Sequence, residues 1–235
     1  MIKDKNFYNK ESPYYSVKRY PNVASNYIQY FFKKRLGIVL GEIQRRLRGR
    51  SGLRLLEVGC ADGIVLRKVF EQMSSMFSEM IGMDISEGMI EEAINTTTIG
   101  KIKYFIRGEE SVGSKYDLIL EIGVANYADI NEELKYARNN LSQDGLYILS
   151  LAGSGSVNGY FSNGDGYNNF FPYSEYEAKI KDQFAILKII PVGFYIPIIW
   201  KMPCVARVIQ IFVDYIFSSL FANLFHEKVY ILKHK

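Results

Sequence analysis

The sequence has few of the residues that mark several protein classes. Two cysteines in 235 residues, Cys60 and Cys204, are too few for a disulfide framework and are typical of a reducing compartment. Tryptophan occurs once and proline six times, whereas tyrosine and phenylalanine occur 18 and 15 times. Hydrophobic residues make up 48% and charged residues 23%, which excludes a disordered, collagen-like or coiled-coil chain. Length and composition predict one large globular domain.

Long hydrophobic runs are also absent. The longest uncharged stretches near the carboxyl end, 189–200 and 215–225, fall short of the roughly 20 residues that span a bilayer. Residues 1–20 are polar and lack the apolar core of a signal peptide. We therefore expect a cytoplasmic protein without a transmembrane helix.

Charge is unevenly distributed along the chain. Residues 1–50 contain twelve Lys or Arg and three Asp or Glu, although the whole chain carries a net charge of only +4. Such a basic end could bind phosphates or anionic lipid, or it could be a solvated helix face. Both interpretations stay open from the sequence.

Apolar strands alternate with helices along residues 27–151. Runs rich in Leu, Ile and Val predict strands at 53–58, 80–83, 102–106, 117–122 and 146–151. Apolar spacing predicts helices at 27–48, 64–76, 86–95 and 130–141. This alternation is typical of an α/β fold with a parallel sheet covered by helices on both faces. Beyond it, 153–169 predicts a long loop, and 184–190 and 229–232 predict two further strands.

A glycine-rich turn after the first strand is the sharpest signal. Glu57 ends an apolar run, and Gly59, Ala61 and Gly63 follow in a turn that opens a helix. Glycine lets a backbone approach a ligand closely, and a helix N-terminus presents free N–H groups. Asp84 ends the next strand, where an acid can accept both hydroxyls of a ribose. Together these residues predict a nucleotide-like site at the carboxyl edge of the sheet.

Segments 57–63, 82–89, 107–110 and 117–129 together resemble the motifs of class I S-adenosylmethionine-dependent methyltransferases. The resemblance implies a Rossmann-like, seven-stranded, mostly parallel sheet whose last strand is antiparallel. It also implies one domain with four parts. These are an N-terminal lid and helix (1–50), a cofactor-binding core (53–152), an acceptor-side loop with an apolar insert (153–228), and the last strand and tail (229–235).

The family pattern implies roles for the residues of the turn. Glu57 would lie near the methionine amino group of S-adenosylmethionine. The backbone at Gly59 and Ala61 would face the methionine and the ribose, and Gly63 would complete the turn. Ala61 stands where the family usually has a glycine. That departure costs little provided that the φ angle of Ala61 is negative.

Further cofactor contacts are implied beyond the turn. Asp84 would accept the ribose hydroxyls, and the neighbouring Ile85 would pack on the adenine. Glu109, where the family usually has Asp, would accept from the adenine amino group. Related enzymes cover the cofactor with an aromatic and basic N-terminal segment. Arg19 would then clamp the methionine carboxylate, and Tyr15 would cover the sulfonium by a cation–π contact.

Three residues are candidates for catalysis. Glu121 could be a general base, could hold the methionine amine, or could be a solvated strand end. Tyr127 follows the fourth strand, where family members often carry His or Tyr near the transferred methyl group, or it packs in the core. The ordinary pKa of His226 suits a general base at neutral pH, although a histidine before the last strand is also common without a function.

The apolar insert at 191–225 is unusual. Arg207, Gln210, Asp214 and Ser218 recur at steps of three and four and form one polar stripe on an otherwise apolar helix. The rest of that helix needs apolar cover. It could be buried as core or pocket roof, touch the inner face of a membrane, or form a dimer interface.

We expect a methyltransferase that acts on a small molecule or glycan, more at oxygen than at nitrogen. The opening and ending of the chain resemble methyltransferases of bacterial glycan assembly, which implies a sugar acceptor on a nucleotide or lipid carrier. Residues 121–127 lack the proline pair of base-modifying enzymes, which disfavours nucleic acid. No metal site is predicted. The alternatives are an RNA or protein methyltransferase and a non-catalytic binding or membrane-docking module.

Overall fold

The computed structural model describes residues 5–108, 115–162, 167–196 and 198–235. Seven strands within them form one sheet in the order β3-β2-β1-β4-β5-β7-β6. The strands are β1 (Leu53–Val58), β2 (Phe77–Asp84), β3 (Ile102–Ile106), β4 (Tyr116–Ile122), β5 (Leu141–Ala152), β6 (Phe184–Val192) and β7 (Glu227–His234).

Helices surround this sheet. The helices before the third strand are α1 (Lys5–Glu11), α2 (Tyr15–Arg19), α3 (Tyr27–Leu47), α4 (Ile64–Met73) and α5 (Glu87–Thr96). The later helices are α6 (Ile130–Asn140), α7 (Val157–Ser162), α8 (Tyr173–Gln183) and α9 (Pro203–Leu220). Asn26 and Ser86 cap α3 and α5, because their side chains accept from the backbone N–H groups of Gln29 and Met89.

The last strand is the one that runs against the others. β7 pairs antiparallel with both β5 and β6, while β1 pairs parallel with β2 and β4. The parallel ladders continue from β2 to β3 and from β4 to β5. The predicted Rossmann-like fold, with its antiparallel last strand, is therefore confirmed.

The two faces of the sheet bury separate apolar clusters. Leu55 and Leu56 are adjacent in β1 and point to opposite faces, as strand geometry requires. Helices α3 and α4 cover the face of Leu55, and α6 and α8 cover the face of Leu56. This cover leaves the carboxyl edge of the parallel strands free for a site.

Two predicted boundaries differ from the structure. The fifth strand was expected to begin at residue 146, but β5 begins at Leu141 and includes Asp144 and Gly145, where the pairing with β4 shifts register. The predicted loop 153–169 contains α7, whose start is fixed because Ser156 Oγ accepts from Gly159 N at 2.9 Å. A side-chain cap thus offsets the low helix propensity of this glycine-rich segment.

Helix α9 differs from the expectation in another way. It is long and apolar enough to cross a membrane by length and composition, although no transmembrane helix was predicted. The prediction counted uncharged runs, and Arg207 and Asp214 interrupt the helix in the sequence. In the fold Asp214 is buried against the protein and many of the apolar residues of α9 are exposed.

Candidate functional site

The turn between β1 and α4 lies against the end of β2. Gly59 N and Cys60 N both donate to Met83 O, at 2.7 and 3.0 Å. Gly59 has a φ of +69°, and a Cβ at this position would lie 2.2 Å from Val124 Cγ2. Glycine is therefore required here by both backbone conformation and space.

Ala61 adopts a left-handed conformation in the same turn. Its φ is +48°. The sequence expectation was that Ala61 would cost little provided that its φ were negative, and that condition is not met. This conformation costs a non-glycine residue about 1–2 kcal/mol. The hydrogen bond from Ala61 N to Asp84 Oδ2, at 3.0 Å, offsets part of that cost and joins the turn to the end of β2.

Asp84 and Ile85 present a polar and an apolar surface side by side. Asp84 Oδ1 accepts from Ser86 N at 2.9 Å, so backbone N–H groups fix both carboxylate oxygens. Burial raises the pKa of Asp84, and these backbone hydrogen bonds oppose that effect. The side chain of Ile85 is 49% exposed and lies next to it. A carboxylate beside an open apolar surface fits a ribose and an adenine.

Glu57 lies behind this surface and does not line the cavity described below. It is buried, and its Oε2 atom has no hydrogen-bond partner among the described residues. Burial raises its pKa well above the ordinary value, and the carboxylates of Asp84 and Asp62 add to the effect. A buried acceptor without a partner fits a cationic donor such as an ammonium group.

Gly63 also does not line the cavity. Its φ is +77°, it stands at the start of α4, and a Cβ there would lie 2.2 Å from Tyr104 Oη. Its predicted role in binding stays a prediction, since in the structure it allows α4 to pack closely on β3.

A cavity of about 690 Å³ opens at the carboxyl edge of the parallel strands. Its walls include Gly59, Ala61, Asp84 and Ile85, together with α3 and the N-terminal segment. This volume is typical of sites for cofactor-sized ligands. The structure therefore brings together four of the residues that the family pattern predicted for cofactor binding.

The N-terminal segment is tied to the turn and to α5. Ser16 N donates to Asp62 Oδ2 at 3.1 Å, and Ser16 Oγ donates to the same oxygen. Asn9 Oδ1 accepts from Ser86 Oγ at 2.6 Å and from Gly88 N at 3.1 Å. These bonds hold α1 and α2 over the cavity, in the position expected for a lid.

Arg19 and Tyr15 line the cavity from this segment. The Arg19 guanidinium lies 4.1 Å from the centre of the Tyr15 ring and 5.6 Å from that of Phe32. Its Nη1 atom is 3.5 Å from Glu11 Oε2, which is the long end of a salt bridge. Most of its hydrogen-bonding capacity thus remains for a carboxylate in the cavity. The two predicted roles remain predictions.

Tyr127 and His226 also line the cavity. The Tyr127 ring lies 6.1 Å from Tyr8 and 5.1 Å from Tyr167, measured between centres. His226 packs against Phe31 at 4.6 Å, and its buried Nδ1 has no hydrogen-bond partner among the described residues. Burial lowers the pKa of His226, with Arg35 adding to the effect. The imidazole is therefore neutral at pH 7 and can accept a proton.

Glu121 is the predicted catalytic residue that does not line the cavity. Its carboxylate is buried and Oε2 accepts from Tyr147 Oη at 2.6 Å. Burial raises the pKa of Glu121 to about 8, with the Glu133 carboxylate contributing. This location argues against its prediction as a general base, because a base must reach the substrate. Glu109 lies outside the described residues, so its contact with adenine stays a prediction.

Sequence reasoning missed an ion pair in the cavity wall. Arg35 Nη1 contacts both carboxylate oxygens of Glu227, at 2.8 and 2.9 Å, and both residues are buried. A signal existed, since Arg35 falls four residues after Phe31 and four before Val39, on the buried face of α3. A charged residue on such a face needs a partner or a ligand.

Arg107 was noted as part of a motif but not as a site residue. It lines the cavity, and its Nη2 atom contacts Glu133 Oε2 at 2.8 Å. With Arg19 and Arg35, it is the third guanidinium in the wall, and it lies just after the end of β3.

Comparisons with known proteins find a methyltransferase domain in this chain. A family model described as a methyltransferase domain matches residues 56–147. A malonyl-[acyl-carrier protein] O-methyltransferase of Bacillus anthracis is 27% identical over 143 residues, which cover 58% of this chain and 52% of that protein. A ubiquinone biosynthesis O-methyltransferase of Azorhizobium caulinodans is 29% identical over 116 residues, which cover 47% of this chain and 44% of that protein. The chain spans about half the length of these curated relatives.

A solved structure matches over the whole chain. An S-adenosylmethionine-dependent methyltransferase from Thiobacillus denitrificans, in complex with S-adenosyl-L-homocysteine, superposes with a TM-score of 0.62. The match covers 100% of both chains at 12% sequence identity. At that identity the likeness shows the fold.

Proposed function

We propose that this chain, whose residues 56–147 match a methyltransferase domain and whose fold is that of class I S-adenosylmethionine-dependent methyltransferases, transfers a methyl group to a hydroxyl of a small molecule. The observation that carries the proposal is the cavity in which Gly59, Ala61, Asp84 and Ile85 meet. When bound there, S-adenosylmethionine supplies an electrophilic methyl group on its sulfonium.

The residues present fit this cofactor. Asp84 would accept from the ribose hydroxyls, and Ile85 would pack on the adenine. Glu57 lies behind the cavity wall, so its open acceptor would reach the ammonium group of the methionine part through a bridging water. Gly59 and Val124 both line the cavity, and the absence of a Cβ at Gly59 lets the two pack side by side there.

The N-terminal segment would complete the site. Arg19 would bind the methionine carboxylate, and Tyr15, Tyr8 and Tyr127 would exclude water around the sulfonium. Exclusion of water strengthens each electrostatic contact inside the site. The protein then contributes mainly by positioning the acceptor for in-line displacement.

Oxygen is the acceptor atom that the site favours. A hydroxyl must lose a proton as it attacks, and His226 offers a neutral imidazole in the cavity wall. Two curated relatives are named as O-methyltransferases, which supports the same choice. A sugar hydroxyl is the specific acceptor that we propose to test first. The aromatic wall of Tyr8, Tyr15 and Tyr127 would suit its apolar face.

The first experiment measures cofactor binding by calorimetry with S-adenosylmethionine. Asp84→Asn should raise the dissociation constant about tenfold or more, because the hydroxyls lose a charged acceptor. Glu79→Gln, at the other end of the same strand in a surface salt bridge with Arg54, should leave it unchanged. The proposal fails when the unsubstituted protein gives no heat of binding.

The second experiment follows transfer of a labelled methyl group from S-adenosylmethionine to a panel of sugars and other hydroxyl compounds. Transfer to an oxygen supports the proposal. Cofactor binding without transfer to any acceptor, including amines and RNA, would favour a non-catalytic binding module instead. Transfer confined to RNA or protein would replace the small-molecule assignment.

A further inference from the structure

Helix α9 turns its polar side chains towards the protein and its apolar side chains outwards. Gln210 and Asp214 are 0% and 5% exposed, whereas Phe212 and Tyr215 are 62% and 82% exposed. A surface helix of a soluble protein normally has the opposite arrangement. In the described structure, the outward side of α9 therefore exposes apolar side chains to solvent.

Hydrogen bonds fix this orientation. Asp214 Oδ2 accepts from Tyr30 Oη at 2.8 Å, and Asp214 Oδ1 accepts from Phe194 N at 3.2 Å. Gln210 Nε2 donates to Phe194 O at 2.6 Å and to Asp214 Oδ1 at 3.0 Å. Rotation of α9 to bury its apolar side would break these bonds and leave buried polar groups unpaired, at about 1–3 kcal/mol each.

The exposed side chains form one continuous strip, which we call the apolar face. It consists of Met202, Val205, Val208, Phe212, Ile216 and Leu220, all exposed. They recur at steps of three and four along α9, so they lie on one side of it. A contiguous strip of this kind marks a contact with a protein or a membrane.

Charge around the apolar face has one sign. Within residues 189–225 the charged residues are Lys201, Arg207 and Asp214, and the acid is the buried one. Lys201 is exposed and makes no salt bridge with a described residue. Arg207 Nη1 contacts Ala24 O at 3.5 Å, and Lys33 donates to the nearby Asn22 O. Apolar side chains flanked by cations that make no salt bridge with a described residue complement a bilayer of anionic lipid.

A second copy of the chain fits this face less well. A two-fold contact through α9 would place two copies each of Lys201 and Arg207 in one interface, without an exposed acid of α9 to compensate. Spanning the bilayer fits less well too. The 18 residues of α9 measure about 27 Å, close to the ~30 Å of the hydrocarbon core. Spanning would nevertheless break the bonds of Gln210 and Asp214 and place both polar side chains in hydrocarbon.

We propose that the apolar face of α9 is a membrane-docking surface that lies in the interface of an anionic bilayer. Tyr27 and Ile28 line the cavity, and Tyr30 and Ala24 of the same region contact α9. Docking therefore brings the cavity close to the lipid surface. A consequence, which rests on the proposed function, is that the acceptor hydroxyl belongs to an amphipathic or lipid-linked molecule.

Flotation with vesicles tests the docking surface directly, using the full chain. Phosphatidylcholine vesicles with 30% phosphatidylglycerol should bind the protein, and vesicles of phosphatidylcholine alone should bind at least tenfold less. The double variant Phe212→Ser and Ile216→Ser should lose most of the binding, because it removes two exposed apolar side chains from the middle of the apolar face. Ile94→Ser, at an exposed apolar residue of α5, is the matched control and should bind like the original chain.

The outcomes separate docking from the methyltransferase proposal. Calorimetry with S-adenosylmethionine should give the same dissociation constant for the double variant and the original chain, so loss of vesicle binding alone supports docking. Absence of binding to anionic vesicles overturns the proposal. A dimer in sedimentation that the double variant converts to monomer, without vesicle binding, assigns the face to a second copy instead.

Discussion

The imidazole of His226 has the environment of a proton acceptor. It lines the cavity, burial lowers its pKa below the ordinary value of 6.5, and its Nδ1 has no hydrogen-bond partner among the described residues. Glu227, next to it, raises the pKa but is itself paired with Arg35. The neutral form therefore predominates above pH 6.5 and is the form that can accept a hydroxyl proton.

Replacing this group should affect the chemical step. We expect His226→Gln to lower kcat by about 10²–10⁴-fold with the hydroxyl acceptor identified by label transfer, because a positioned base contributes a factor of that size. The rate of the original chain should fall as pH drops below the lowered pKa, since protonation removes the acceptor. The variant should lose that pH dependence while it binds S-adenosylmethionine normally. An unchanged kcat would assign proton removal to another group.

The site residues that could be predicted are those whose positions follow from the local sequence. Gly59, Ala61 and Asp84 follow directly from strand ends, so their meeting at one sheet edge could be predicted. The left-handed φ of Ala61 could not, because it depends on a hydrogen bond across the turn. Arg35 and Glu227 pair across 192 residues, and no local pattern identifies such partners.

At the scale of elements, one carboxylate joins helix α3 to strand β6. Glu42 Oε1 accepts from Lys188 Nζ at 2.8 Å, and Glu42 Oε2 contacts Arg45 and Arg46 at 2.5 and 3.0 Å. Burial acts to raise the pKa of Glu42, but the hydrogen bonds from these cations outweigh it and lower the pKa to about 2. The ion cluster thus stabilises the folded chain whenever Glu42 is ionised.

The pH dependence of this contribution has a definite sign. A carboxyl group with a lowered pKa stabilises the fold above about pH 4.5, and the contribution is lost as pH falls towards 2. Glu42→Gln should lower the free energy of unfolding at pH 7 by on the order of 1–2 kcal/mol in urea titrations. The difference from the original chain should shrink between pH 4.5 and 2.

A surface ion pair provides the control for that measurement. Glu71→Gln removes an exposed pair with Lys68 and should change stability by less than about 0.5 kcal/mol. A pH-independent difference for Glu42→Gln would show that packing rather than charge carries its effect.

Whether a segment is a helix or a strand was easier to predict than its orientation or the residues that it contacts. The seven strands and helices α3 to α6 were predicted because strand runs and helix spacing are local signals. Helix α8, which covers one face of the sheet, was not predicted. The helix inside 153–169 was missed because its signal is the single cap of Ser156. The stripe of Gln210 and Asp214 was recognised on α9, but its inward direction depends on Tyr30 and Phe194, which lie elsewhere in the chain.

At the scale of the whole molecule, cofactor binding should stabilise the fold. A ligand that binds only the folded chain at 100 times its dissociation constant adds about 2.7 kcal/mol. S-adenosylmethionine at that concentration should raise the Tm by on the order of 5–10 °C in scanning calorimetry, given the size of the chain. For Asp84→Asn at the same concentration of S-adenosylmethionine, tenfold weaker binding predicts a stabilisation of only about 1.4 kcal/mol. Equal shifts for both proteins would contradict the placement of Asp84 at the cofactor.

The walls of the cavity come from distant parts of the chain. Tyr15 and Arg35 precede the first strand, Asp84 ends the second, and His226 and Glu227 begin the last. A growing polypeptide on the ribosome therefore cannot assemble the complete site until residue 227 has emerged. Partial products of translation would lack the wall that His226 and Glu227 provide, so this side of the cavity is the last to form.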